Sequence, residues 1–255
     1  METVLRRQRL IIGGCLAAMT LIAWSYLLHS KAAMEDMSMP GMVMYRTPES
    51  GAMSVLLLFV MWDVMMVAMM VPSAAPMILA FLTVNQRRQA ASRPLVPVGI
   101  FVLGYLAVWT AYSAVATLAQ WELHQASLLS PAMAATSPFL NGGLLLAAGV
   151  FQWTPLKRAC LKGCRSPLSF LMSEWREGTA GAFVMGLRHG SYCVGCCWVL
   201  MALLFVAGVM NLLWVAVIAI FVMAEKILAR GELLGRMTGA ALAIAGIVLI
   251  ARGVQ

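Results

Sequence analysis

Apolar runs of about twenty residues recur along almost the whole 255-residue chain, and they are the feature that most limits its fold. A helix rising ~1.5 Å per residue needs about 20 residues to cross a ~30 Å hydrocarbon core. Runs of that order occupy residues 10–28, 53–82, 95–119, 139–156 and 179–209, then a stretch ending near 225, and finally 237–250. A backbone in lipid must satisfy its own hydrogen bonds, so such runs imply helices. The expectation is an all-α integral membrane protein, a polytopic helical bundle of about seven transmembrane helices. Only 11% of residues are charged, too few to coat a soluble domain of this size.

Basic residues orient the bundle. With the N-terminus cytoplasmic, the inner segments carry Arg6, Arg7, Arg9, Arg87, Arg88, Arg93, Lys157, Arg158, Lys162, Arg165, Arg176, Lys226, Arg230 and Arg236, which is 14 of the 18. The bias of Lys and Arg toward cytoplasmic loops favours this orientation. Because the net charge of +8 lies in short clusters between apolar runs, topology explains it and nucleic-acid binding does not. The first run has basic residues before it and Ser30 and Ala32 after it, as a cleaved signal does, which would leave six spans. Its length favours a retained anchor. The chain divides into an anchor helix with an outer loop (1–52), a transmembrane core (53–228) and a last helix (229–255). Gly235 and Gly239 form a small-residue pair that lets another helix approach. The 179–209 region, broken by Arg188 and His189, reads either as one kinked helix or as a re-entrant helix followed by a span.

Ionisable groups inside spans are costly and mark function. Asp63 and His189 fall at similar depth if each run is one helix, so they could share a polar pocket; an Asp63–Arg188 ion pair is the plainer alternative. Beyond His189 come Cys193, Cys196 and Cys197, at helical spacings that align an imidazole with three thiols. Thiolate and thioether ligands suit Cu(I), and thiolate with imidazole also suits Zn(II). Met61, Met65, Met66, Met69 and Met70 crowd around Asp63, with Asp63, Met66 and Met70 on one face. Methionine also fills core gaps, so a single one carries little weight. Pro72 and Pro76 are expected to open this helix and free carbonyls.

The outer loop holds five thioethers in eleven residues, Met34, Met37, Met39, Met42 and Met44, a pattern suited to metal capture with His29 as accessory ligand. Docking on the membrane surface is the competing account. On the inner side, Cys160 and Cys164 lie among Arg158, Lys162 and Arg165, whose charges are expected to lower the thiol pKa and favour exchange. Glu225 and Lys226 read as solvated helix-end residues or as an interfacial pair.

Three strings carry a resemblance: Met61-Trp62-x-Val64-Met65-Met66-x-Ala68-Met69-Met70-x-Pro72-Ser73, Cys160-x-x-x-Cys164-Arg165-x-Pro167 and Gly186-x-x-His189-Gly190-x-Tyr192-Cys193-x-Gly195-Cys196-Cys197-Trp198. Over about residues 53–226 the chain resembles the predicted metal-binding integral membrane protein family of bacteria, some members of which are labelled copper chaperones. The Met-rich loop precedes that region and is not part of the likeness. The resemblance implies metal binding. With the ligand chemistry, the expectation is a non-enzymatic protein that handles Cu(I), with Zn(II) as second choice. It would transport the ion or deliver it to a membrane cuproenzyme, with that enzyme or a soluble metallochaperone as its partner. Two alternatives stand beside it: a membrane thiol-disulfide oxidoreductase using Cys193 and Cys196, and an assembly subunit whose polar groups only pack helices.

Overall fold

The computed structural model describes residues 2–37, 52–90, 96–130 and 133–254, and among them every regular element is a helix. In chain order these are α1 (Glu2–Met37), α2 (Ala52–Ala90), α3 (Val98–Gln125), α4 (Pro138–Phe151), α5 (Pro155–Arg165), α6 (Pro167–Glu174), α7 (Gly178–Ala202), α8 (Leu204–Ala207), α9 (Leu212–Ile227) and α10 (Gly231–Gly253).

Five described segments are long and apolar enough to cross a membrane: Leu5–Ala33, Ala52–Arg88, Val98–Gln125, Gly178–Ala207 and Gly231–Gly253. The sequence reading expected about seven. Two of its runs fold into shorter helices: α4 has 14 residues and α9 has 16, so they reach about 21 and 24 Å, short of the hydrocarbon core. The 139–156 run is cut because Thr154 starts a new helix. Its side chain accepts from the Lys157 backbone N–H at 3.2 Å, with Pro155 in the first turn, where a missing N–H costs nothing. Ser137 and Pro138 open α4 in the same way. The 179–209 region is one continuous helix to Ala202, so Arg188 and His189 do not interrupt it. Beyond α8 the chain turns tightly, where Gly208 adopts φ 90° and accepts from the Asn211 backbone N–H at 3.0 Å.

Pro72 and Pro76 do not break α2 either. Neighbouring hydroxyls bind its backbone at this point: Ser73 Oγ and Tyr105 Oη both donate to the Met70 carbonyl, at 2.9 and 3.1 Å.

Two close helix crossings hold the bundle. At the α3–α7 crossing, a Cβ on Gly104 would lie 2.2 Å from the Phe183 carbonyl oxygen, and one on Gly186 would lie 2.1 Å from that of Phe101. At the α4–α10 crossing, Gly142 meets Gly246 and Gly149 meets Gly239, backbone against backbone. Gly239 thus takes part in a close approach, and Gly235 faces Glu225 and Gln152. Helix α1 packs on α2, while α5 packs on α7.

The basic clusters meet at one end of the bundle. Arg9 donates to Thr83 at 2.8 Å, Arg88 pairs with Glu177 and stacks over Trp175, and Arg165 donates to the carbonyls of Leu228 and Ala229 at 2.6 and 3.0 Å.

Candidate metal centre

Helix α7 turns His189, Cys193, Cys196 and Cys197 into the core, and none is more than 2% exposed. The spacing that aligned them in sequence therefore survives as one buried stripe. His189 lies between aromatic rings, stacked on Tyr105 and Phe101 at 5.6 and 6.1 Å between centroids, with the Phe170 edge at 5.7 Å. Its Nδ1 is buried and has no hydrogen-bond partner.

Cys193 is the hub. Its Sγ lies 3.2 Å from Tyr105 Oη and accepts from Lys226 Nζ at 3.0 Å. The thiols of Cys196 and Cys197 turn back along their own helix and donate to the Cys193 carbonyl, at 3.1 and 3.0 Å. Cys164 of α5 comes within hydrogen-bonding reach of Cys193 and Cys196, so a fourth thiol joins the cluster from a second helix. Cys160, one turn earlier and half-exposed, packs over Gly195; a Cβ there would lie 2.7 Å from Cys160 Sγ.

The expected lowering of the Cys160 and Cys164 pKa is reversed. Burial, then the adjacent Cys196, pushes the Cys160 thiol up; Cys164 is held well up by its hydrogen bonds to Cys193 and Cys196, and then by burial. Of the nearby cations, Arg158 and Lys162 are exposed to solvent. Arg165 binds backbone carbonyls, and Lys157 Nζ sits 2.7 Å from Glu225 Oε2.

Glu225 and Lys226 are not solvated helix ends: they are 2% and 7% exposed. Glu225 pairs with Lys157, while Lys226 reaches the other way to Ser73 Oγ (2.8 Å) and Cys193. Lys226, Ser73 and Tyr105 thus form the polar surroundings of Cys193, and the sequence reading assigned none of them. Two consecutive charges closing an apolar run were the available signal, but the same pattern marks an ordinary helix end.

Other expected pairings are absent. Arg188 pairs with Glu174, not Asp63. Asp63 is half-buried and lies seven residues, about 10 Å along the helix, from Met70, whose carbonyl marks the level of Cys193. The structure does not bring Asp63 and His189 together. Met66 and Met70 are fully buried on α2. Met34 and Met37 belong to the last turn of α1; Met39, Met42 and Met44 lie outside the described residues.

The donor set suits a soft ion: four thiols and an imidazole nitrogen left unpaired in the core. It is not a finished cage. Among the described residues, no group of three or more His, Cys, Asp or Glu side chains is arranged to hold an ion, and two of the thiols are bonded to a backbone carbonyl.

Membrane-length helices around a buried cluster of thiols define a helical protein of membrane type with a candidate soft-metal centre. The chain belongs to the PpoB2 family, described as a copper chaperone, whose model matches residues 59–249 and so takes in the cluster and the helices that build it. No curated protein and no solved structure matches the chain.

Proposed function

We propose that this protein is a non-enzymatic membrane carrier that receives Cu(I) and delivers it to a membrane cuproenzyme, in exchange with a soluble metallochaperone. The observation that carries this reading is the cluster of Cys164, Cys193, Cys196 and Cys197, buried beside the unpaired His189 Nδ1. In a core of this kind a thiol cluster has no packing role that alanine or valine could not fill, whereas Cu(I) is well served by it.

Copper is cargo here, so ligand sets on either side matter as much as the centre. Met34, Met37, Met39, Met42 and Met44, with His29, form the outer capture segment. Asp63, Met66 and Met70, at successive turns of α2, lead toward the level of Cys193. Cys160, half-exposed over Gly195, is the inner exchange point, with Cys164 linking it to the cluster. In the proposed topology the N-terminus is cytoplasmic in a bacterial inner membrane, and α4 and α9 complete seven spans, packed on the longer α10 and α2, with local thinning of the bilayer accommodating their length. The gathering of Arg9, Arg88 and Arg165 contacts at one end supports that orientation.

The test is copper bound per chain after anaerobic loading of the full-length protein in detergent. Cys193→Ser/Cys196→Ser/Cys197→Ser should lose affinity by more than about 100-fold, beyond the 10–100-fold that an outer-shell change costs. Equal copper in wild type and triple variant would sink the site. Asp63→Asn, about two turns from the cluster, should leave bound copper within roughly twofold of wild type; an affinity loss as large as that of the cysteine variant would put the carboxylate at the centre instead.

A further inference from the structure

Among the described residues, the Lys226 ammonium is the charged group that touches the thiol cluster. It lies 3.0 Å from Cys193 Sγ and is anchored at 2.8 Å to Ser73 Oγ, which itself donates to the Met70 carbonyl. It makes no ion pair with a carboxylate among the described residues, since the adjacent Glu225 is turned to Lys157. Its other contacts nearby, Ser73 and Tyr105, are neutral hydroxyls. Carried by α9 and tied to α2 through Ser73, it is held beside the thiol of α7.

We propose that Lys226 is a specificity-determining residue that biases the thiol centre toward monovalent ions and against divalent ones. This rests on the metal-carrier reading of the same site. A fixed positive charge beside the ligands repels a divalent ion twice as strongly as a monovalent ion at the same point, whatever number of thiolates takes part. Burial removes the water that would otherwise screen the difference. The thiols alone do not discriminate, because sulfur ligands serve both Cu(I) and Zn(II). The ammonium supplies the missing distinction by charge, and it also offsets the negative charge that a Cu(I)–thiolate centre would leave in the core.

The experiment is competition for the full-length protein in detergent, offered Cu(I) and Zn(II) together under reducing, anaerobic conditions, with bound metals counted per chain. Wild type should take Cu(I) in preference. Lys226→Met, which keeps the stem and removes the charge, should raise the Zn(II)-to-Cu(I) ratio by about tenfold or more. Lys226→Arg, which keeps the charge, should restore the wild-type ratio. An unchanged ratio in Lys226→Met overturns the inference while leaving the carrier reading intact, and so does a shift in Lys226→Arg as large as in Lys226→Met. Wild type that binds no metal overturns both. If Lys226→Met does not fold, the wild-type protein decides by itself, because preference for Zn(II) over Cu(I) contradicts the proposed bias.

Discussion

Gly186→Val is expected to abolish the folded protein. A Cβ on Gly186 would sit 2.1 Å from the Phe101 carbonyl oxygen and 3.0 Å from the Gly104 Cα, so the obstacle is backbone and no rotamer change relieves it. The helices would have to separate by more than an ångström. That separation would also pull Tyr105 from Cys193 and open the ring stack on His189, since all of these straddle the same crossing. The expected cost exceeds about 4 kcal/mol, in the range that single substitutions rarely reach. The measurement is the yield of monodisperse protein after detergent extraction and its thermal midpoint. Gly143→Val is the control: nothing lies within 4 Å of a Cβ at Gly143, so it should behave as wild type. A Gly186→Val protein with wild-type yield and midpoint would show that the α3–α7 crossing tolerates a side chain at this position.

The second large effect concerns Lys157 and Glu225. Both side chains are 3% exposed or less, and they meet at 2.7 Å. Removing one partner strands the other charge in the core, so Lys157→Met should cost about 3–5 kcal/mol, whereas an apolar pair of similar volume is often neutral. Lys157→Met/Glu225→Met should therefore recover most of the loss. The three proteins are compared by chemical denaturation in the same detergent. A double variant no better than Lys157→Met would mean that the pair contributes by its own attraction and not by mutual neutralisation. Glu225 Oε1 and both amide atoms of Gln152 have no partner, which makes this region sensitive to any change of charge.

The membrane helices and the α7 stripe were legible in the sequence because each rests on local information. Run length marks a span, and helical spacing puts His189 and the three cysteines on one face whatever surrounds them. Depth comparison between helices was not legible. Counting residues from the ends of α2 and α7 put Asp63 level with His189, but α2 continues far past the apolar run, to Ala90, and the Tyr105 contacts show that Met70 is the residue level with Cys193. Lys226 reads as a solvated helix end or half of an interfacial pair because its burial is supplied by distant parts of the chain: Ser73 on α2 and Cys193 on α7. Cys164 was legible as chemistry but not as place. Its neighbouring cations dominate the sequence, whereas in the fold α5 turns the thiol inward and the cations outward or onto carbonyls.

The bonds from Cys196 and Cys197 to the Cys193 carbonyl have a kinetic consequence. A ligand already engaged must be released before it can grip an ion, and it has somewhere to return when the ion departs. Both lower the affinity below that of a rigid preformed cage, and both shorten the residence time of whatever is held. A storage protein gains nothing from that trade. A courier does, because its efficiency depends on how readily it lets go.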